Sequence, residues 1–151
     1  MHATHTADRL QVGADELTFR VTSEQSGGAL LAIEVRLPAG GGPPALHRHA
    51  PAEVYRVERG ELAIYVEDDA GEVERIATSP GAVVHIPAGR AHTVRNESDA
   101  DAHAYVVFTP GTQIERFMRA AGALTDPAKI VALAERHGIE MLRSRSTPPT
   151  G

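Results

Sequence analysis

The amino-acid sequence predicts an all-β domain of two antiparallel sheets followed by a short helical extension. Leu31, Ile33, Val35 and Leu37 alternate with Ala32, Glu34 and Arg36, the period-two pattern of a strand with one buried face. Short apolar runs follow at Glu53 to Val57, Leu62 to Val66, Val73 to Ala77, Ala82 to Ile86, Ala91 to Val94 and Ala102 to Thr109. They are divided by turn residues at Arg59-Gly60, Asp68-Asp69-Ala70-Gly71, Ser79-Pro80-Gly81, Ala88-Gly89 and Asn96 to Asp101. Many short strands of this kind cover their edges economically as two packed sheets. After Pro110 the period changes, with Ile114, Phe117, Met118 and Ala121 at helical spacing.

Residues 1–14 are polar and carry His2 and His5, so a flexible N-terminus is expected, with 15–110 as the barrel. Residues 111–142 form the helical extension. Thr112-x-x-Glu115 is a capping-box candidate, Gly122 can end the first helix, Asp126-Pro127 can cap and start a second, and Gly138 can close it. An apolar stripe at this spacing is expected to pack on a sheet, not to act as a lid. Residues 143–151 are rich in Ser, Pro and Arg and read as a disordered tail.

At 151 residues the chain suits one domain, and its net charge of −5 provides no basic footprint for nucleic acid. With no cysteine there is neither a disulfide framework nor a thiolate ligand, so any metal must use His and carboxylate. The first sixteen residues lack an apolar signal core and no stretch approaches a bilayer span, which makes a cytoplasmic protein with no membrane partner the expectation. Lys129 is the only lysine among fifteen basic residues, the bias of a GC-rich bacterial genome.

Two segments carry metal-ligand spacing: Gly41-x5-His47-x-His49-x3-Glu53-x6-Gly60 and Gly81-x5-Pro87-x-Gly89-x2-His92-x3-Asn96. In an extended strand His47 and His49, two apart, share a face. Glu53 lies beyond the Ala50-Pro51-Ala52 break and has the parity to join them if the strand resumes in register. Pro87-Ala88-Gly89 is a turn signal that can present His92 from a separate strand. Three imidazoles and one carboxylate suit a divalent first-row ion (Fe, Mn, Ni, Co, Cu or Zn) and are too rich in nitrogen for calcium or magnesium. Without a cation, a carboxylate buried among three imidazoles would be costly.

These residues are those of the cupin family, which the chain resembles from about Leu30 to Pro110; every fixed position of both family motifs is filled without insertion. The resemblance implies a double-stranded β-helix, or jelly-roll, cupin barrel with His47, His49, Glu53 and His92 as metal ligands. It further implies a small-molecule substrate and a homodimer that pairs through its sheets. Within the family the chain is similar to small quercetinase-like dioxygenases, so an oxidoreductase acting on a flavonol, enol or phenol is expected. Isomerase, cyclase or lyase chemistry on the same ion, or ligand binding without turnover, are the alternatives.

Four ligands on one side of a six-coordinate ion leave two neighbouring positions for substrate or dioxygen. Glu53 can also serve as a base, and Tyr55 shares its parity and can offer a phenol to the substrate. His85 alternates with Val84 and Ile86 and is expected to face outward, whereas the parity of His103 is open. Arg48 and Arg90 read as surface residues, and Asn96 and the motif glycines as turn residues.

Overall fold

The computed structural model describes residues 8–142, so the expectations for residues 1–7 and 143–151 lie outside the described residues. The strands are β1 (Arg9–Val12), β2 (Asp15–Val21), β3 (Leu31–Leu37), β4 (His47–Arg48), β5 (Ala52–Arg59), β6 (Leu62–Glu67), β7 (Val73–Thr78), β8 (Val83–Ile86), β9 (His92–Arg95), β10 (Ala102–Thr109) and β11 (Glu140–Met141). Helices α1 (Thr112–Ala121) and α2 (Pro127–Arg136) lie between β10 and β11. Each of the apolar runs from Glu53 to Thr109 became a strand.

The strands form two antiparallel sheets, one ordered β1-β2-β3-β10-β5-β8 and the other β11-β4-β9-β6-β7. Their facing sides make the core. In β10, Ala102, Ala104, Val106 and Phe108 are buried while the residues between them are half-buried, which settles the parity of His103: it faces out, beside Arg59. In β5, Glu53, Tyr55 and Val57 are buried and Val54, Arg56 and Glu58 exposed. The inward column of β5 thus brings a carboxylate and a phenol into an interior otherwise built from Leu, Ile, Val, Ala and Phe.

Two features differ from the sequence reading. Arg9–Val12, expected in a flexible terminus, pairs with β2 through the two-residue Gly13-Ala14 turn. Thr112 is not a cap: Gly111 occupies that position without a side-chain bond, and Glu115 instead accepts from the Ser23 backbone N–H and from Arg119. Asp126 caps α2 as expected, accepting from the Ala128 N–H. The extension packs as expected, α1 against β1 and β3 and α2 against α1 and β11, and its apolar residues also line an interior cavity. Among the described residues no helix is long and apolar enough to cross a membrane.

Candidate metal centre

The loop from Pro38 to Leu46 delivers the first ligand strand and is tied at both sides. Gly40 N–H donates to Asn96 O, Asn96 N–H donates to Gly41 O, and Gly42 N–H donates to Asp15 Oδ1. The Asn96 amide donates to Leu37 O and Ala100 O and accepts from Ser98, so this buried side chain holds the ends of β3 and β9 together. At Gly42, with φ +130°, a Cβ would sit 2.1 Å from Val94 O, so the loop can run this close to β9 only with glycine.

β4 is two residues long and is held between β9 and β11, with His47 opposite both His92 and Met141. His49 follows in the bend before β5, and Glu53 faces the three histidines from the other sheet. The imidazole centroids are 4.4 Å (His47–His92), 4.9 Å (His49–His92) and 5.7 Å (His47–His49) apart. One ligand atom from each of His47, His49, Glu53 and His92 lies within 4.8 Å of every other. Ligands about 2.0–2.2 Å from one ion are at most about 4.4 Å apart, so small side-chain movements close the shell.

The hydrogen bonds fix the ring orientations. Nδ1 of His47 meets Ala45 O at 2.9 Å, Nδ1 of His49 meets Pro51 O at 2.9 Å, and Nδ1 of His92 meets Arg90 O at 2.8 Å. A carbonyl can only accept, so each Nδ1 carries the proton and each neutral ring has its Nε2 lone pair free. His49 Nε2 lies 2.8 Å from Glu53 Oε2 and His92 Nε2 is also in contact with it. Yet Glu53 Oε2 and His92 Nε2 are buried without a hydrogen bond of good geometry. Backbone carbonyls behind the imidazoles and lone pairs in front of them form an arrangement that could hold a metal.

Charge tells the same story. Burial pushes His47 down to about 3, helped by His92, so it stays neutral at any ordinary pH. Burial also disfavours charge on His92, but the adjoining Glu53 carboxylate outweighs it and raises His92. Burial would raise Glu53, and the opposing pull of His92 and His49 leaves it well below the usual carboxylate range. Without a metal, a proton on His92 can neutralise Glu53 but leaves the other two lone pairs facing each other. A divalent ion satisfies all four groups at once.

A cavity of about 140 Å³ adjoins this cluster. Its lining includes His47, His49, Glu53 and Tyr55, the inner-face residues Leu17 and Phe108, and Ile114, Phe117, Met118, Ile130 and Ala134 from the two helices. The helices thus do two things: α1 packs on β1 and β3, as the sequence predicts, and Phe117, Met118 and Ile130 also line the cavity. Phe108 meets the His49 ring at 6.2 Å, edge to face.

A cupin-domain family profile matches residues 33–108, half of the chain. The chain belongs to the cupin family. A structure of a Bacillus subtilis oxalate decarboxylase variant superposes with a TM-score of 0.61 at 20% identity, covering 74% of this cupin and 31% of that chain. A predicted oxalate decarboxylase from Thermotoga maritima superposes at 0.58 with 21% identity, covering 70% of this chain and 92% of its own. A Thermus thermophilus protein is 30% identical over 56% of this chain and 76% of that one, with a TM-score of 0.50. This cupin thus spans about a third of the Bacillus enzyme, which is itself described as having Mn(II) centres. No curated protein matches the sequence.

The structure gathers the four expected ligands into one cluster, sets His47, His49, Glu53 and Tyr55 on the cavity, and leaves the other candidates outside it. His85 is exposed, Arg48 pairs with Glu67 and Glu140, and Arg90 pairs with Asp69. Sequence reasoning missed Asp15, which lines the same cavity. Its signal was faint: the alternation of Leu17, Phe19 and Val21 marks a strand, and Asp15 shares their parity.

Proposed function

We propose that this cupin is a metal-dependent enzyme acting on a small, largely apolar enol or phenol, with His47, His49, Glu53 and His92 as ligands and oxidation by dioxygen as the reaction. One observation carries this reading: a cluster of unneutralised lone pairs opens onto a cavity lined mainly by apolar side chains. A divalent ion there, one of Fe, Mn, Ni, Co, Cu or Zn, would act as a Lewis acid that lowers the pKa of a guest hydroxyl. Manganese has the added support of the Bacillus neighbour.

Glu53, on the cavity wall, would take the proton the guest gives up. Tyr55, two residues along the same face of β5, is raised well above its ordinary range by burial and then by the Glu53 charge, so it remains a hydrogen-bond donor toward the guest oxygen. Among the described residues the cavity lining contains no arginine or lysine. A dianion such as the oxalate of the neighbours' names would face Asp15 and Glu53, whereas a neutral guest that ionises on arrival avoids that cost.

The volume of 140 Å³ suits a single ring, close to the engineered cavity of about 150 Å³ that takes benzene. It favours a one-ring phenol or enol; a three-ring flavonol would require α1 and α2 to move. The same volume supports a second reading, because a guest that fills it leaves little room for dioxygen. Isomerase, cyclase or lyase chemistry on the guest anion would then be the reaction.

Oxygen uptake by the metal-loaded protein with one-ring phenols and enediols tests the first reading. Turnover that persists anaerobically selects the second. Metal-dependent binding with no product under either atmosphere makes the protein a ligand-binding cupin. We also propose a homodimer formed at edge strand β8, where Val83 is 63% exposed and Val54, on the adjoining β5, is 39% exposed. A monomer mass by light scattering would remove it.

A further inference from the structure

Apart from the ligand cluster and Tyr55, the titratable side chain facing the cavity is Asp15, at the start of β2. It lies on a different element from every ligand. Its Oδ1 accepts from the Gly42 N–H at 3.1 Å, and among the described residues its Oδ2 accepts from none. Gly41 makes room for this contact, since a Cβ there would come within 2.6 Å of Oδ1. The same cavity is lined by Val12, Leu17, Pro43, Pro44 and Ile130, whose side chains have no hydrogen-bonding group to offer it.

We infer that Asp15 reads a second hydroxyl on the guest, so that the cavity selects a small apolar ring with one oxygen for the ion and a hydrogen-bond donor on another edge. This rests on the enol or phenol reading and narrows it to dihydroxylated guests. The chemistry follows from the acceptor left over: a carboxylate oxygen in an apolar wall gains from a neutral donor and gains nothing from a plain hydrocarbon edge. An ammonium group would meet the same carboxylate but would be repelled by the divalent ion sharing the cavity. The charged and titratable groups facing Asp15 are Arg95 from β9 and Tyr55 from β5. In the metal-free protein burial pushes the Asp15 carboxyl up to about 6, against the pull of the Gly42 N–H and of Arg95.

The alternative role for Asp15 is to tether the loop through Gly42, and Asp15→Asn separates the two. The asparagine carbonyl can keep the Gly42 bond while the second acceptor becomes a donor amide. The experiment is anaerobic titration of the cobalt(II)-loaded protein with phenol, resorcinol and hydroquinone, followed by calorimetry and by the visible spectrum of the ion. Wild type should bind one of the two dihydroxybenzenes roughly tenfold or more tighter than phenol at pH 7.5. In Asp15→Asn that ratio should fall to near one with cobalt still bound. Equal binding of the three probes by wild type, or a preference that survives Asp15→Asn, overturns the role of Asp15 alone. If none of the probes binds in a metal-dependent way, the enol or phenol reading falls and this inference falls with it.

Discussion

Glu53 and Asp15 are both carboxylates facing one cavity, and their surroundings push them in opposite directions. Glu53 lies against two imidazoles and is held low, whereas Asp15 has burial as its main influence and is raised from 3.8 to about 6. For an acid raised in the folded state, the cost of burial is absent below the unfolded value and fully present above the folded one. Wild type should therefore lose stability relative to Asp15→Asn as pH rises from about 4 to about 6. Because the carboxyl is only partly buried, the change should be on the order of 1–2 kcal/mol, less than the full shift would give. Urea unfolding of the metal-free proteins at pH 4.5 and 7 measures it, and a constant difference would contradict the assignment. At this scale the four-residue cluster was legible because motif spacing is local, although His49 lies in the bend after β4 and Glu53 on the other sheet, where strand parity alone does not carry. Asp15 was not, because its partner Gly42 is 27 positions away and the contact depends on how two loops meet.

The element that orients His47 is the least legible in the chain. β4 and β11 have two residues each, too short for any periodicity, and β11 lies beyond two helices. Yet Met141 pairs with His47, and Leu142 N–H donates to Leu46 O at 2.8 Å. Ending the chain after Gly138 should leave the main sheets intact by circular dichroism but loosen β4, lowering metal affinity about 10- to 100-fold, as expected when the support behind a ligand is lost. The helices were legible as helices from their period, Asp126 and Gly122, but not as a wall of the cavity, since an amphipathic stripe does not say what it covers. Phe117→Ala should admit two-ring phenols that wild type excludes, at a stability cost of about 1–2 kcal/mol because Phe117 is only half-buried. Unchanged guest size in that variant would return the helices to a purely packing role.

Across the whole molecule, the fold class followed from period-two patterning and turn residues, while strand order did not. That β10 lies between β3 and β5, and β9 between β4 and β6, is set by long-range pairing that one sequence does not display. The order has a chemical consequence. His47 and His92 stand on adjacent strands of one sheet, Glu53 is on the other, and His49 is in the bend between them, so an ion held by all four would join the two sheets across the interior. Binding that favours the folded state adds about 2.7 kcal/mol at a hundredfold excess over Kd, so the loaded protein should unfold at a higher temperature than the stripped one. The most direct test is the metal content and melting temperature of protein purified without supplementation, compared with His92→Ala. The account predicts about one first-row transition ion per wild-type chain, a lower melting temperature once it is chelated, and an affinity more than ~100-fold weaker in His92→Ala. A wild-type protein that neither retains nor takes up such an ion, or a His92→Ala variant that binds it equally well, would contradict the account.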